Sequence, residues 1–227
     1  MVSPTTALRC VAFAAASISL AALLAQVFGV LPMGSFLTFL GVPSLLLLFT
    51  LAALARWLDQ RIFVTCLTVG ALGGLVATVA YDLIRLAMRG SGLFDYDGFK
   101  AIYLFGSWIS GRPVGTWHAA VAGWGYHFWN GVSFGIFYTL MFGRARWWYG
   151  VLYGLVMEAC MLGLFPVFLH ITDKVDFIVL SLVGHLGYGA VLGAAAQRYA
   201  LDWRPVRPRR RLDRSRPVTG GGSHALR

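Results

Sequence analysis

Residues 117–142 read WHAAVAGWGYHFWNGVSFGIFYTLMF, a run of 26 residues without Asp, Glu, Lys or Arg. About 20 predominantly apolar residues are enough for an α-helix to cross the ~30 Å hydrocarbon core of a bilayer. Six segments reach that length, and each predicts a transmembrane helix. They cover residues 8–30, 36–55, 62–83, 117–142, 147–169 and 175–197. The sequence therefore predicts an all-α integral membrane protein with six transmembrane helices.

The composition excludes several classes of protein. Hydrophobic residues make up 58% and charged residues 12% of the 227 residues, against about 45–50% and about 25% in soluble domains. The mean hydropathy is +0.71. A soluble enzyme, a disordered chain and a disulfide-stabilised scaffold are therefore excluded. The three cysteines lie inside apolar segments without a C-x-x-C spacing, so we interpret them as small buried side chains.

The distribution of Lys and Arg predicts the orientation. With a cytoplasmic N-terminus, fourteen of the nineteen basic residues face the cytoplasm and five face outward, as the positive-inside rule requires. Both termini are then cytoplasmic. Seventeen of the nineteen are arginine, which is typical of a GC-rich bacterial genome, so the expected location is the bacterial cytoplasmic (inner) membrane.

Basic residues are concentrated at the C-terminus. Nine of the nineteen lie between Arg198 and Arg227, in a stretch that also contains several prolines and glycines. We therefore divide the chain into a six-helix transmembrane domain, residues 1–197, and a disordered basic cytoplasmic tail, residues 198–227. The tail is expected to bind anionic lipid headgroups rather than nucleic acid, because polybasic segments beside a membrane are attracted to its anionic surface.

Small residues recur every four positions in the last four helices, together with one acid or one histidine. The four stripes are Gly70-x3-Gly74-x3-Thr78-x3-Asp82, Gly123-x3-His127-x3-Gly131-x3-Gly135, Gly150-x3-Gly154-x3-Glu158 and Ser181-x3-His185-x3-Gly189-x3-Gly193. A spacing of four keeps these residues on one helix face, where small side chains let helices approach closely. The pattern predicts a tandem repeat of a helix hairpin, helices 3–4 and 5–6, with an outer loop at residues 84–116 inserted in the first copy.

Three ionisable residues lie deep in the predicted bilayer. At 1.5 Å per residue, His127, Glu158 and His185 are each about 15 Å from an end of their helix, near the midplane. An unpaired charge at that depth costs on the order of 2.5–3.5 kcal/mol on insertion scales, so Glu158 requires a partner. We therefore expect a His–Glu–His cluster and take its members as candidate ion- or substrate-binding residues.

Two further residues belong to the candidate site. Asn130 lies one turn further in than His127, on a neighbouring part of the same helix face. Asp82 ends the stripe of the third helix, and its spacing to Arg85 favours a surface ion pair at the outer interface. Between the third and fourth helices, the aromatic-rich segment 99–109 is too short to span the bilayer, so it is either an interfacial helix or part of a re-entrant loop.

Several of these stretches resemble a known group of proteins. They are GALGGLVATVAYDLIRLAMR at residues 70–89, LFGSWISGR at 104–112, YHFWNGVSFGIFY at 126–138 and GHLGYGAVLG at 184–193. Together they are similar to a family of uncharacterised bacterial multi-spanning inner-membrane proteins, a domain of unknown function, over about residues 70–197. The resemblance implies a polytopic inner-membrane protein and carries over no catalytic residue.

Three functions are compatible with the sequence. The preferred hypothesis is transport of protons, a cation or a small polar solute, since repeats around a midplane site are typical of transporters. The first alternative is a non-catalytic partner subunit or assembly factor, either as a homo-oligomer or with another membrane protein, in which the cluster only joins helices. The second is a membrane enzyme with a metal between His127, Glu158 and His185. Motifs of soluble enzymes and cofactor sites are missing, so no cofactor and no catalytic residue is predicted.

Overall fold

A computed structural model of the chain describes residues 4–169 and 174–203, and these residues contain helices and no strands. The apolar runs form helices because in a bilayer a helix satisfies every backbone group within its own segment. The helices are α1 (Pro4–Val27), α2 (Met33–Trp57, with a π-helical turn at Leu37–Gly41), α3 (Arg61–Gly90), α4 (Lys100–Ser110), α5 (Trp117–Phe142), α6 (Trp147–Leu169) and α7 (Lys174–Tyr199). The predicted all-α fold is confirmed for these residues.

Five of the helices, α1, α2, α3, α6 and α7, are long and apolar enough to cross a membrane. Helix α5 is not one of them, although it has 26 residues. Its two histidines, its asparagine, and its tyrosine and tryptophan residues interrupt the apolar run. The structure thus supports a membrane protein with five apolar helices, and the sixth span is still a prediction.

Helix α3 lies at the centre of the bundle, packed against α5 on one side and α7 on the other. Glycines make the contact between α3 and α5 close, because a Cβ atom added at Gly74 would lie 2.6 Å from the carbonyl oxygen of Gly131. The contact between α6 and α7 is similar, since a Cβ atom at Gly150 would lie 2.6 Å from the Cα atom of Gly193. Both hairpins therefore place their predicted stripes face to face.

The region predicted as an outer loop, residues 84–116, contains more helix than expected. Helix α3 continues to Gly90, and the aromatic-rich segment forms α4, which packs on α5. Here Gly106 contacts the carbonyl of Ala119, and Gly123 contacts that of Ile102. The reason is that α4 has an apolar face that buries Ile102 and Phe105 against the bundle.

Polar contacts hold one end of the bundle together. At this end, the Arg9 guanidinium donates to the carbonyl of Leu140 at 2.6 Å and stacks 4.1 Å from the Trp203 ring. The start of α1, the end of α5 and the residues after α7 are therefore neighbours. Of the predicted tail, residues 200–203 follow α7 and pack back on α5, where Trp203 donates to the Thr139 carbonyl at 2.9 Å. Residues 204–227 lie outside the described part of the chain.

Candidate functional site

The first hairpin joins an acid to a histidine. Nε2 of His127 on α5 lies 2.9 and 3.0 Å from the two carboxylate oxygens of Asp82 on α3. The close glycine contact between these helices brings the two side chains within reach. Their side chains are 18% and 14% exposed, so the pair is mostly buried.

The second hairpin contains an equivalent pair. Nδ1 of His185 on α7 lies 2.9 Å from Oε2 of Glu158 on α6, and the Ser181 hydroxyl donates to the same oxygen at 2.5 Å. The side chains of His185 and Glu158 are 8% and 3% exposed, so this pair is more buried than the first. The second carboxylate oxygen, Oε1 of Glu158, is buried and has no hydrogen-bond partner among the described residues.

The expected His–Glu–His cluster is therefore replaced by two separate pairs. The physical reason is that Asp82 lies on the same face of α3 as Gly74, so it faces α5 and reaches His127 before Glu158 can. The contact of Asp82 with Arg85 exists at 3.8 Å, but these side chains are 14% and 8% exposed and do not form a surface pair. The equivalent positions of Asp82 and Glu158 in the two stripes were the sequence signal for this arrangement.

Aromatic rings connect the two pairs. The Tyr81 ring lies 4.9 Å from the His185 ring and 6.3 Å from the His127 ring, measured between centroids. The Arg85 guanidinium is stacked between two rings, 4.7 Å from Tyr81 and 4.7 Å from Phe99. Phe99 begins the aromatic-rich segment 99–109, but no spacing in the sequence indicates its contact with Arg85.

Asn130, the remaining candidate, belongs to a different contact. Its Oδ1 accepts a hydrogen bond of 3.1 Å from the Ser19 hydroxyl of α1. Both side chains are held by the packing of α1 on α5. In the described residues Asn130 has no hydrogen bond with either acid–histidine pair, although it lines the same cavity as His127.

A cavity of about 970 Å³ adjoins both pairs. It lies between α1, α4 and α5 on one side and α6 and α7 on the other, and most of its lining is apolar. Its polar lining includes Arg85, His127, Asn130, Ser181 and His185, whereas the Glu158 side chain does not reach it. Such a lining suits an apolar ligand with a polar group better than a column of water.

The lining also includes one phenol outside the long helices. Tyr96 follows α3, and burial raises the pKa of its hydroxyl to about 12. The hydroxyl therefore stays protonated at neutral pH and can donate a hydrogen bond into the cavity.

The geometry can exchange protons, and it offers little to a metal ion. Across the described ranges, no group of three His, Cys, Asp or Glu side chains is placed to hold a metal. Each histidine instead has one ring nitrogen fixed by a carboxylate, while the other, Nδ1 of His127 and Nε2 of His185, has no hydrogen bond to the described residues. A carboxylate that fixes one imidazole nitrogen orients the ring and leaves the other nitrogen to accept or donate a proton.

Comparison with known proteins gives a family and no relative of known activity. No curated protein and no solved structure matches the sequence at a significant level. One family model matches, over residues 64–204. This range contains both hairpins and both acid–histidine pairs, and it agrees with the resemblance seen over residues 70–197. The chain therefore belongs to the family of unknown function DUF6789.

Proposed function

We propose that the protein is a six-span membrane transporter that moves protons across the bilayer by way of its two acid–histidine pairs. The observation that carries this proposal is the presence of two buried pairs, Asp82–His127 and Glu158–His185, beside one cavity. Imidazole and carboxylate groups both accept and release protons, so the two pairs are the candidate proton-exchanging groups.

The six-span topology is supported by the position of α5. This helix has 26 residues, about 39 Å at 1.5 Å per residue, which exceeds the hydrocarbon thickness. It is packed against α1, α3 and α4, so it needs less lipid-facing apolar surface than the outer helices. The contacts of Arg9 with Leu140 and Trp203 bring the two described ends of the chain together, which supports an even number of spans. The excess of basic residues on this side favours a cytoplasmic location for it.

The tandem repeat is supported by equivalent contacts in the two hairpins. In each, the first helix provides the acid and the second provides the histidine. In each, glycines of one helix contact backbone atoms of the other, as Gly135 contacts Gly70 and Gly189 contacts Gly150. Repeats around a site inside the membrane are typical of transporters, in which one repeat moves relative to the other.

Transport explains the site better than a purely structural role does. A polar contact whose only purpose is to join helices is expected to be closed and fully satisfied. Here the His127 and His185 side chains line a large cavity, and Glu158 has a buried oxygen without a partner among the described residues. These features cost stability, so we attribute them to function.

The test is proton flux in liposomes. Purified protein is reconstituted with a pH-sensitive dye in the lumen, and a potassium gradient with valinomycin imposes a membrane potential. We expect the protein to accelerate the lumenal pH change, and Glu158→Gln and Asp82→Asn each to slow it about tenfold or more, since they remove a proton-exchanging partner.

The matched control is Asp59→Asn. Asp59 also pairs with a basic residue, Arg61, but its side chain is 76% exposed and lies between α2 and α3. This variant is expected to carry protons like the wild type. If liposomes with wild-type protein behave like empty ones, or if all three variants match the wild type, the proposal is wrong.

A further inference from the structure

The cavity has walls suited to an apolar molecule. Its lining is rich in phenylalanine, which α1, α4, α5, α6 and α7 all contribute: Phe13, Phe105, Phe134, Phe137, Phe142, Phe165 and Phe177. The volume of about 970 Å³ is at the upper end of the range of about 300–1,000 Å³ for small-molecule sites. Leu152 and Val156 of α6 line it and are 49% and 61% exposed, so the cavity is open toward the apolar surface of the bundle.

One cation reaches this cavity without a close anionic partner. The Arg85 side chain is 8% exposed, and its nearest carboxylate oxygen, on Asp82, is 3.8 Å away, too far for a hydrogen bond. Both oxygens of Asp82 are instead within hydrogen-bond distance of His127. Within residues 4–169 and 174–203 the guanidinium has ring contacts but no hydrogen bond. Because a guanidinium has five N–H donors and is always charged, a buried one without acceptors is costly unless a ligand provides them.

The surroundings of Arg85 keep its guanidinium in place. The guanidinium carbon lies 4.7 Å from the ring centroids of both Tyr81 and Phe99. These cation–π contacts satisfy none of its N–H donors, which stay available to a ligand. A Cβ atom at Gly98 would lie 2.8 Å from Nη2 of Arg85, so an alanine there would displace the end of the Arg85 side chain. A planar guanidinium presented by its edge matches a carboxylate or a phosphate, which it binds through two parallel hydrogen bonds.

We propose that the cavity binds an amphipathic anion, whose carboxylate or phosphate head contacts Arg85 and whose apolar body lies against the phenylalanine side chains. This inference rests on the proposed function, because the anion binds beside the two pairs that exchange protons. Two carboxylates and one guanidinium give the site one net negative charge while both histidines are neutral. Protonation of both histidines makes the net charge positive, so proton uptake favours binding of the anion.

The experiment measures binding of a dansyl-labelled undecanoic acid to the full chain in a neutral maltoside detergent, by the rise in dansyl fluorescence. We expect saturable binding of this probe. Its methyl ester has the same body without the charge, and dansylglycine has the charge without the chain. The ester is expected to bind about ten- to hundredfold more weakly, the range given by loss of a charged hydrogen bond. Dansylglycine is also expected to bind more weakly, because it buries less apolar surface. Equal binding of acid and ester contradicts the inference.

Two variants test whether the anionic head group of the ligand contacts Arg85. Arg85→Gln removes the charge and is expected to weaken binding of the acid about ten- to hundredfold, with no effect on the ester. Gly98→Ala keeps every charge and displaces only the end of the Arg85 side chain, so it also weakens acid binding and tests the site even where Arg85→Gln does not fold. Arg89→Gln is the control, because Arg89 is half-exposed and pairs with Asp97. If Gly98→Ala and Arg89→Gln both bind like the wild type, the head is not on Arg85.

Competition distinguishes the two sources of such a ligand. Displacement of the probe by oleate at lower concentration than by phosphatidylglycerol indicates a free acid, and the reverse order indicates a bilayer lipid; either order supports the amphipathic anion. Displacement by phosphatidylcholine as efficient as by phosphatidylglycerol contradicts it. Proton flux is measured on the same preparation. Flux without probe binding rejects this inference alone, and binding without flux rejects the proposed function.

Discussion

Each of the two hairpins joins an acid to a histidine, and the two pairs differ in their exposure and in their neighbours. In the first, the side chains of Asp82 and His127 are 14% and 18% exposed, and the cationic Arg85 is nearby. In the second, those of Glu158 and His185 are 3% and 8% exposed, and the only further polar contact of the carboxylate among the described residues is with Ser181. The repeated stripes determine which acid meets which histidine. The flanking elements, α4 and the turn before it, determine how each pair is stabilised.

The largest expected effect is that of His185→Ala. It leaves the Glu158 side chain, which is 3% exposed, with the Ser181 hydroxyl as its only partner in the described structure, and breaking a buried ion pair costs about 3–5 kcal/mol. We expect a clearly lower melting temperature in detergent, measured by the fluorescence of the native tryptophans.

The control for this change is His118→Ala, since His118 stacks on Trp117 at the start of α5 and lies outside both pairs. It is expected to melt like the wild type. If the two alanine variants lose similar stability, loss of the His185 partner does not destabilise the buried Glu158 carboxylate as predicted.

The next effect tests whether the two hairpins are equivalent. Gly135→Ala and Gly189→Ala each place a methyl group against the backbone of the facing helix, at Gly70 and Gly150. Because backbone cannot move aside like a side chain, each is expected to cost about 1–3 kcal/mol or more. Equal losses, measured as melting temperatures, support the repeat.

On the same helix as Gly135, Gly125 has open space around it, so Gly125→Ala is the matched control. It is expected to be neutral or slightly stabilising, because alanine favours helix over glycine. A loss in one hairpin only shows that the two glycine contacts are not equivalent.

A smaller effect is expected for His127→Ala. Arg85 lies 3.8 Å from Asp82 and can approach the carboxylate when the imidazole is absent. The cost is therefore about 1–2 kcal/mol, that of one charged hydrogen bond, instead of that of a stranded charge. In a double-mutant cycle, the combination with Arg85→Gln is expected to lose more than the sum of the single variants, because they share one partner. Additive losses indicate that Arg85 does not substitute for His127.

Much of the fold is predictable from the sequence, since long apolar runs require helices and stripes of small residues require close contacts. The sequence predicts that the third helix ends at residue 83, where Arg85 and Arg89 follow the apolar run. Arginine can bury its stem and stack its head on rings, as Arg85 does between Tyr81 and Phe99, so the helix continues to Gly90. This moves Asp82 from the predicted interface into the bundle, where it pairs with His127.

The cavity could not be predicted, and the reason is also physical. A side chain that faces lipid and one that faces an apolar cavity have the same composition, so no periodicity separates Val156 or Phe165 from the outer surface. One contact beside the cavity, between the turn at Gly98 and Arg85, joins residues of different local patterns. Sequence spacing relates residues within one helix, whereas the site forms where α3, α5 and the turn before α4 meet.

The smallest effect, and the sharpest test of the difference between the pairs, is that of Glu158→Gln. Among the described residues, Oε2 of Glu158 accepts a hydrogen bond and Oε1 has no partner. In the glutamine variant the amide oxygen can therefore take the position of Oε2, and the amide nitrogen that of Oε1. The change also removes a buried charge, so we expect a loss of about 1 kcal/mol or less. Asp82→Asn is expected to cost more, about 1–2 kcal/mol, because His127 contacts both Asp82 oxygens and Arg85 loses its nearest anion. The acids thus rank opposite to the histidines, for which His185 matters more than His127. Melting temperatures of the four single variants measure both rankings, and a greater loss for Glu158→Gln than for Asp82→Asn would mean that the Glu158 carboxylate stabilises the bundle by its charge.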